Sequence, residues 1–246
     1  MRSRHRLFTS GSEDAGMAMT QLATLDLRPG DEVVLPSFGG EEAADAVAAA
    51  GGVPVFADID PVSFCLSPAA AEAALTSRTV GVLALHVFGH PADMVSLEEL
   101  CQRRGVRLAE SERPLSAVLS PDVVLRRRSA EYLASRLRGV LPPVVRPGVD
   151  HTFERFVVRV PGNGRPDRDA FRNALRARGV DCFVPVGTPA HRLPAHRAAG
   201  VRLPETDRAA AECLALPLQA AMSRRELNRV AAACNRLGGL LYEPAC

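Results

Sequence analysis

Short apolar runs alternate with alanine-rich stretches at helical spacing through the first half of the chain. Arg4–Phe8 reads as a strand, followed by helical spacing at Met17, Met19, Leu22 and Leu25. Leu27-Arg28-Pro29-Gly30-Asp31 is a turn ahead of an apolar strand at Glu32–Leu35. A helix over Glu41–Ala50 stops at Gly51-Gly52. Pro54–Ala57 is the third strand and runs into Asp58-Ile59-Asp60. Ser67 caps a helix over Pro68–Leu75, and Val80–Val87 forms the fourth strand. The capping box Ser96-Leu97-Glu98-Glu99 opens a helix that runs to Arg104, and Arg107–Ala109 is the fifth strand. This rhythm predicts an α/β fold, a mostly parallel sheet with helices on both faces.

The pattern lapses between Pro114 and Asp122, which divides the chain into units 1–122 and 123–246. Beyond it a helix spans Leu125–Leu137, followed by the connection Leu141-Pro142-Pro143. Thr152–Val160 reads as a strand, Asp167–Arg178 as a helix closed by Gly179, and Val180–Pro185 as a further strand. Asp207–Leu214 and Ser223–Leu241 are helical, the latter opened by the box Ser223-Arg224-Arg225-Glu226. This is a small α+β unit.

Composition narrows the classes of function. With 246 residues, 47% of them hydrophobic, the chain buries one sizeable core or two modest ones. A net charge of +2 with interspersed signs leaves no nucleic-acid footprint. Arg126-Arg127-Arg128 reads as a solvated helix start rather than a phosphate track. No stretch approaches the ~20 apolar residues of a membrane span, and MRSRHRLFTS lacks the apolar centre of a signal peptide, so a cytoplasmic protein is expected. The cysteines at 65, 101, 182, 213, 234 and 246 are scattered and read as reduced, mostly core residues. All 30 basic residues are arginine. Without lysine, no side chain can form a Schiff base with a carbonyl or with pyridoxal phosphate.

Candidate chemistry is dispersed. Ser10-Gly11-Ser12 precedes a helix, where free N–H groups suit a phosphate or carboxylate; an ordinary Ser cap is the competing reading. Asp58 and Asp60 lack a third ligand in sequence and read as a solvated loop; no metal site is expected. His86 and Glu110 end the fourth and fifth strands, on the edge where parallel sheets bind ligands, and are candidates for proton transfer. His90, His191 and His196 fall in loops, where a histidine is usually solvent-exposed. Cys182 has no adjacent base in sequence to activate it as a nucleophile.

Taken in order, these segments resemble the DegT/StrS-type sugar aminotransferases, which have the aspartate-aminotransferase fold. Ser10-Gly11-Ser12-Glu13-Asp14-Ala15 is similar to the family's phosphate-cradling turn, and Arg28-Pro29-Gly30-Asp31 through Pro36 to the approach and second strand. Gly51-Gly52-Val53-Pro54-Val55-Phe56-Ala57-Asp58 matches the third strand, and His86-Val87-Phe88-Gly89-His90 through Met94 a characteristic segment. Pro189-Ala190-His191, Leu203-Pro204-Glu205-Thr206 and Leu214–Pro217 resemble the small domain. The resemblance implies a shortened large domain over 1–122 and sheet order 3-2-4-5, with room for the first strand in the gap beside the fifth. It also implies that His191 enters the site from the small domain.

The chain departs from that family in four ways. The central segment with the cofactor lysine has no counterpart between Glu110 and the helix that follows. Ser111 stands where the family has an Asp that pairs with the pyridine nitrogen, Gly39-Gly40 where it often has a stacking aromatic, and Pro114 where it has a Gln. These departures lead to the expectation of no cofactor: the missing lysine excludes covalent pyridoxal phosphate, and weak non-covalent binding stays open. They point to a degenerate, non-transaminating accessory protein of a nucleotide-sugar or secondary-metabolite pathway. Its expected partner is a second copy or a full-length aminotransferase, covering the shortened sheet. The alternative is a cofactor-independent enzyme that holds a phosphorylated or nucleotide-linked sugar at Ser10–Ser12. His86, Glu110 or His191 would then transfer the proton.

Overall fold

The computed structural model describes residues 23–111, 120–161, 168–197 and 200–238. Four strands, β1 (Glu32–Pro36), β2 (Val53–Ala57), β3 (Thr79–Ala84) and β4 (Arg107–Glu110), form a parallel sheet in the order β2-β1-β3-β4. This is the order expected for the second to fifth predicted strands; the predicted strand Arg4–Phe8 lies outside the described residues. Helices α1 (Glu41–Ala49), α2 (Pro68–Ala74) and α3 (Met94–Arg104) make the crossovers. Stepping from β1 out to β2 and then back across to β3 reverses direction. Right-handed connections therefore put α1 on one face and α2 and α3 on the other. All five residues of β1 are buried, as a central strand covered on both faces requires.

Local chemistry moves several boundaries. The fourth strand stops at Ala84 instead of Val87: beyond the Ser111 N–H to Ala84 O bond (2.8 Å) the next donor, His86 N–H, goes to the Ser111 side chain and not to a backbone carbonyl; His86 lies two residues beyond the strand. Helix α3 begins at Met94 because Asp93, and not Ser96, is its cap, accepting from Ser96 N–H at 3.2 Å and from Ser96 Oγ–H at 2.8 Å. A Cβ at Gly81 in β3 would lie 2.8 Å from Leu25 Cδ2, so a side chain there would make the buried Leu25 shift.

The rest of the chain builds α4 (Pro121–Ala134), β5 (Phe156–Arg159), α5 (Arg168–Ala177), α6 (Pro204–Glu212), β6 (Cys213–Leu216) and α7 (Arg224–Gly238). Ser120 caps α4, and the predicted box Ser223–Glu226 forms, with Ser223 N–H donating to Glu226 Oε2 at 2.8 Å. The strand expected over Thr152–Val160 is confined to Phe156–Arg159, since residues 152–155 bond instead to the loop after β3: Thr152 N–H donates to Gly89 O at 2.8 Å. The helix expected over Asp207–Leu214 starts at Pro204 and ends at Glu212; the run Cys213-Leu214-Ala215-Leu216 leaves it as a strand, antiparallel to β5. In place of a strand at Val180–Pro185 there is a single bridge, Phe183 to Ala215.

Two apolar clusters result, and β5 and β6 stand between them. Val157, Cys213 and Ala215 belong to the core around the parallel sheet. Phe156, Val158, Leu214 and Leu216 belong to the core formed with α4, α5 and α7. The period-2 alternation of a strand sends successive side chains to opposite sides. Asp58, expected in a solvated loop, instead ties the halves together: it accepts from Thr206 Oγ–H (2.7 Å), Thr206 N–H (2.8 Å) and Glu205 N–H (3.0 Å) at the start of α6. Asp60 accepts from Ser63 N–H at 2.8 Å, closing its own turn. The arginine run is no solvated start either. It lies inside α4, where Arg126 Nε–H donates to Thr152 O (3.1 Å) and Arg127 Nε–H to His151 O (2.8 Å).

Candidate functional site

The carboxyl ends of β1, β3 and β4 converge on a polar edge, and the sequence candidates occupy it in two networks. In the first, His86 N–H donates to Ser111 Oγ at 3.0 Å, so the residues following β3 and β4 hold each other. Ala92 N–H donates to His86 Nδ1 at 3.0 Å. The neutral imidazole then carries its proton on Nε2, which lies 3.3 Å from Glu110 Oε2. The His86 side chain is 9% exposed and that of Glu110 46%, so a sheltered imidazole N–H faces a solvent-facing carboxyl group. Such a pair can take a proton from, or return one to, a ligand at the edge.

The second network contains His191, which is buried rather than exposed as its loop position suggested. Its N–H donates to Ser37 Oγ at 2.9 Å, which directs the serine hydroxyl proton towards His191 Nδ1 at 2.7 Å. Ala190 N–H donates to Ser37 O at 3.0 Å, so the turn Ala190–Arg192 is seated on the end of β1. His191 Nε2 faces Asp207 Oδ1 at 3.4 Å, and Arg192 takes the other oxygen at 2.6 Å. Burial lowers the His191 pKa, and Asp207 only partly opposes it, so the ring is neutral at neutral pH. Ser37 itself is wholly buried and is a positioning residue. His196 is also sheltered, against Asp45 at 2.8 Å.

The structure thus pairs His86 with Glu110, and His191 with Ser37 and Asp207. Ser10, Gly11, Ser12 and Pro114 lie outside the described residues. Ser37 and Asp207 escaped sequence reasoning because 154 and 16 residues separate them from His191, with no motif linking the three. At Gly39-Gly40 the backbone itself excludes a larger residue: Gly39 has φ +72°, and a Cβ on Gly40 would overlap Pro36 O. The ring found here is the buried Phe38, packed on Phe64 and Phe88 at 5.8 and 5.9 Å. Cys182 is inert by burial, which pushes its thiol up to about 11. Among the described residues no group of three or more His, Cys, Asp or Glu is placed to hold a metal, and no helix is long and apolar enough to cross a membrane.

A family model, the DegT/DnrJ/EryC1/StrS aminotransferase family, matches residues 4–111 and 119–235. The chain belongs to that family. Among curated members, a UDP-N-acetyl-3-dehydro-alpha-D-glucosamine 3-aminotransferase of Acidithiobacillus ferrooxidans is 40% identical over 92 residues, which is 37% of this chain and 25% of that protein. The chain aligns with about a quarter of the length of the curated relatives it matches. DesV of S. venezuelae, solved in complex with a ketimine intermediate, superposes with TM-score 0.80 at 23% identity, covering 92% of this chain and 83% of that one. NtdA of Bacillus subtilis, solved with bound cofactor PMP, gives TM-score 0.80 at 20% identity, covering 92% and 72%. At these identities the likeness concerns the fold.

Family membership corrects the expectation of no cofactor. The DegT/DnrJ/EryC1/StrS family is an aminotransferase family, its solved neighbours include one with bound cofactor PMP and one with a ketimine intermediate, and together they point to pyridoxal phosphate. Departures in individual residues did not justify excluding it, because non-covalent contacts also hold a phosphate and a ring. The residues present fit it only in that way: His86, Glu110 and Ser111 form a polar wall, and the 246 residues include no amine side chain for a covalent link. When bound, the group supplies an electron sink for a carbon attached to nitrogen.

Proposed function

We propose that this chain is a non-transaminating member of the aminotransferase family, acting as an accessory, partner-binding protein in a nucleotide-sugar or antibiotic pathway. The observation that carries the reading is the absence of lysine from all 246 residues. Family chemistry needs an amine that links to the cofactor carbonyl and then carries a proton, and arginine does neither, since its guanidinium keeps its proton in proteins. Ser111 supports the same reading. Its hydroxyl accepts the His86 N–H and cannot hold a pyridine nitrogen protonated as a carboxylate does. The proposed partner is a second copy or a full-length aminotransferase, and the proposed small ligand is a nucleotide-linked sugar. Relatives such as the L-glutamine:2-deoxy-scyllo-inosose aminotransferase of Streptomyces kanamyceticus suggest the pathway class.

The test supplies the purified full chain with pyridoxal phosphate and glutamine or glutamate. Formation of the pyridoxamine form is followed by absorbance and mass spectrometry. No donor-dependent conversion above the protein-free rate is expected; clear conversion refutes the reading. Light scattering, alone and with a co-expressed aminotransferase, tests the partner; a stable monomer in both cases counts against it.

One observation favours a second reading. The His86–Glu110 pair, 3.3 Å apart at the mouth of the edge, is suited to acid–base chemistry on a phosphorylated or nucleotide-linked sugar. Turnover of such a sugar, lost in Glu110→Gln with the fold intact, separates this reading from the first.

A further inference from the structure

Away from the strand ends, a cleft of about 400 Å³ opens between α4 and the segment from Pro143 to Phe156. Its volume lies in the range of small-molecule sites, roughly 300–1,000 Å³. Arg127, Ala130, Glu131 and Ala134 of α4 line one side; their i, i+3, i+4, i+7 spacing puts them on one helix face. Phe153 supplies the aromatic floor, its ring stacked at 6.4 Å on the wholly buried Phe156 beneath it.

Two details set this cleft apart from a packing defect. Phe153 has φ +49°, a backbone region that a bulky residue rarely occupies. It is held there by its N–H donating to His151 Nδ1 at 2.9 Å and by the His151 ring stacked on its own at 4.0 Å. Strain of this kind, maintained by its surroundings, clusters at ligand sites. The second detail is charge. Arg127 and Glu131, at i and i+4, would ordinarily pair. Instead Arg127 turns away, donating to His151 O at 2.8 Å and pairing with Asp150 at 3.2 Å. The Glu131 carboxylate is left without a partner among the described residues. Of the two charged residues that line the cleft, Arg127 is paired with Asp150, which does not line it, so Glu131 is the charge left uncompensated.

We infer that this cleft binds a small organic ammonium with an apolar, ring-sized body, its charge on Glu131 and its ring against Phe153 and the apolar lining of Ala130, Ala134 and Val145. Aromatic faces attract a cation and bury an apolar body, whereas a carboxylate ligand would meet Glu131. The inference does not depend on what happens at the sheet edge.

The test is calorimetric titration of the full chain with three probes of one shape: phenethylamine, 2-phenylethanol and 3-phenylpropionate. The expected order of affinity is amine, then alcohol, then carboxylate. Glu131 is exposed, so Glu131→Gln leaves the fold intact; it lowers amine affinity by about tenfold, the scale of one charge-assisted hydrogen bond, and leaves the alcohol unchanged. Ala134→Leu, which fills the cleft, weakens both. Equal amine affinity in Glu131→Gln overturns the proposal. So does a carboxylate that binds as tightly as the amine, or the absence of binding by all three at millimolar concentration.

Discussion

Replacing Asp58 by Ala removes the acceptor that joins the end of β2 to the start of α6. The carboxylate takes three bonds from Glu205 and Thr206, of 2.7 to 3.0 Å, and Thr206 is wholly buried. Its hydroxyl and N–H would keep their burial and lose their acceptor, at about 1–3 kcal/mol each, with a further ~0.3–1 kcal/mol for the negative charge lost at a helix start. We expect Asp58→Ala to destabilise by about 3–4 kcal/mol. For a chain of this size that lowers Tm by about 6–16 °C. Asp58→Asn keeps an oxygen for Thr206 but presents an amide to Glu205 N–H, so it should cost about 1–2 kcal/mol. Urea titration followed by circular dichroism, with the slope checked for a single transition, measures both variants. Adding Thr206→Val isolates the pair, and a coupling energy above about 1 kcal/mol is expected. Asp58→Ala within the ~0.5 kcal/mol of an ordinary surface change, or a vanishing coupling, would refute the argument.

Two further outcomes are expected. Gly89→Ala combines φ +87° with a Cβ overlapping Thr152 Oγ1 and only 2.9 Å from Glu154 N, and should cost about 2–4 kcal/mol. Gly105→Ala, at φ +67° in open space, should cost only about 1 kcal/mol, and equal losses in the two would show that packing at Gly89 is irrelevant. For His191 the folded pKa lies below the usual 6.5, so the unfolded chain binds the proton first. Its contribution to stability is full above 6.5 and is lost as pH falls through the folded value; His191→Gln should therefore flatten the fall in stability below about pH 6.5. An unchanged slope in that variant would mean the ring is not held neutral.

The order of strands in the parallel sheet came from the family resemblance, with right-handed crossovers assumed. The strands themselves were legible because they are short apolar runs between capped helices. Cys213–Leu216 was not. Its run continues a helix without a breaker, and only the antiparallel partner Phe156–Arg159, more than 50 residues away, makes it a strand. Site residues divide in the same way. His86 follows β3 and Glu110 ends the adjacent β4, so topology alone brings them together. His191 looked exposed because a loop sequence carries no sign of the serine 154 residues earlier that buries it. The cofactor was misjudged for another reason: missing residues argue against a covalent link, but binding is a property of the whole pocket.

The placement of β6 has a consequence for synthesis. The core around the parallel sheet needs Leu203, Ala209, Cys213 and Ala215 to close it, yet the sheet's own last strand ends at Glu110. A ribosome adding about 5–20 residues per second takes roughly 5–20 s to cover the intervening hundred residues. Throughout that interval the nascent sheet has an apolar surface that only later residues will cover. The chain is then open to chaperones, and to any partner that recognises the sheet before it is sealed.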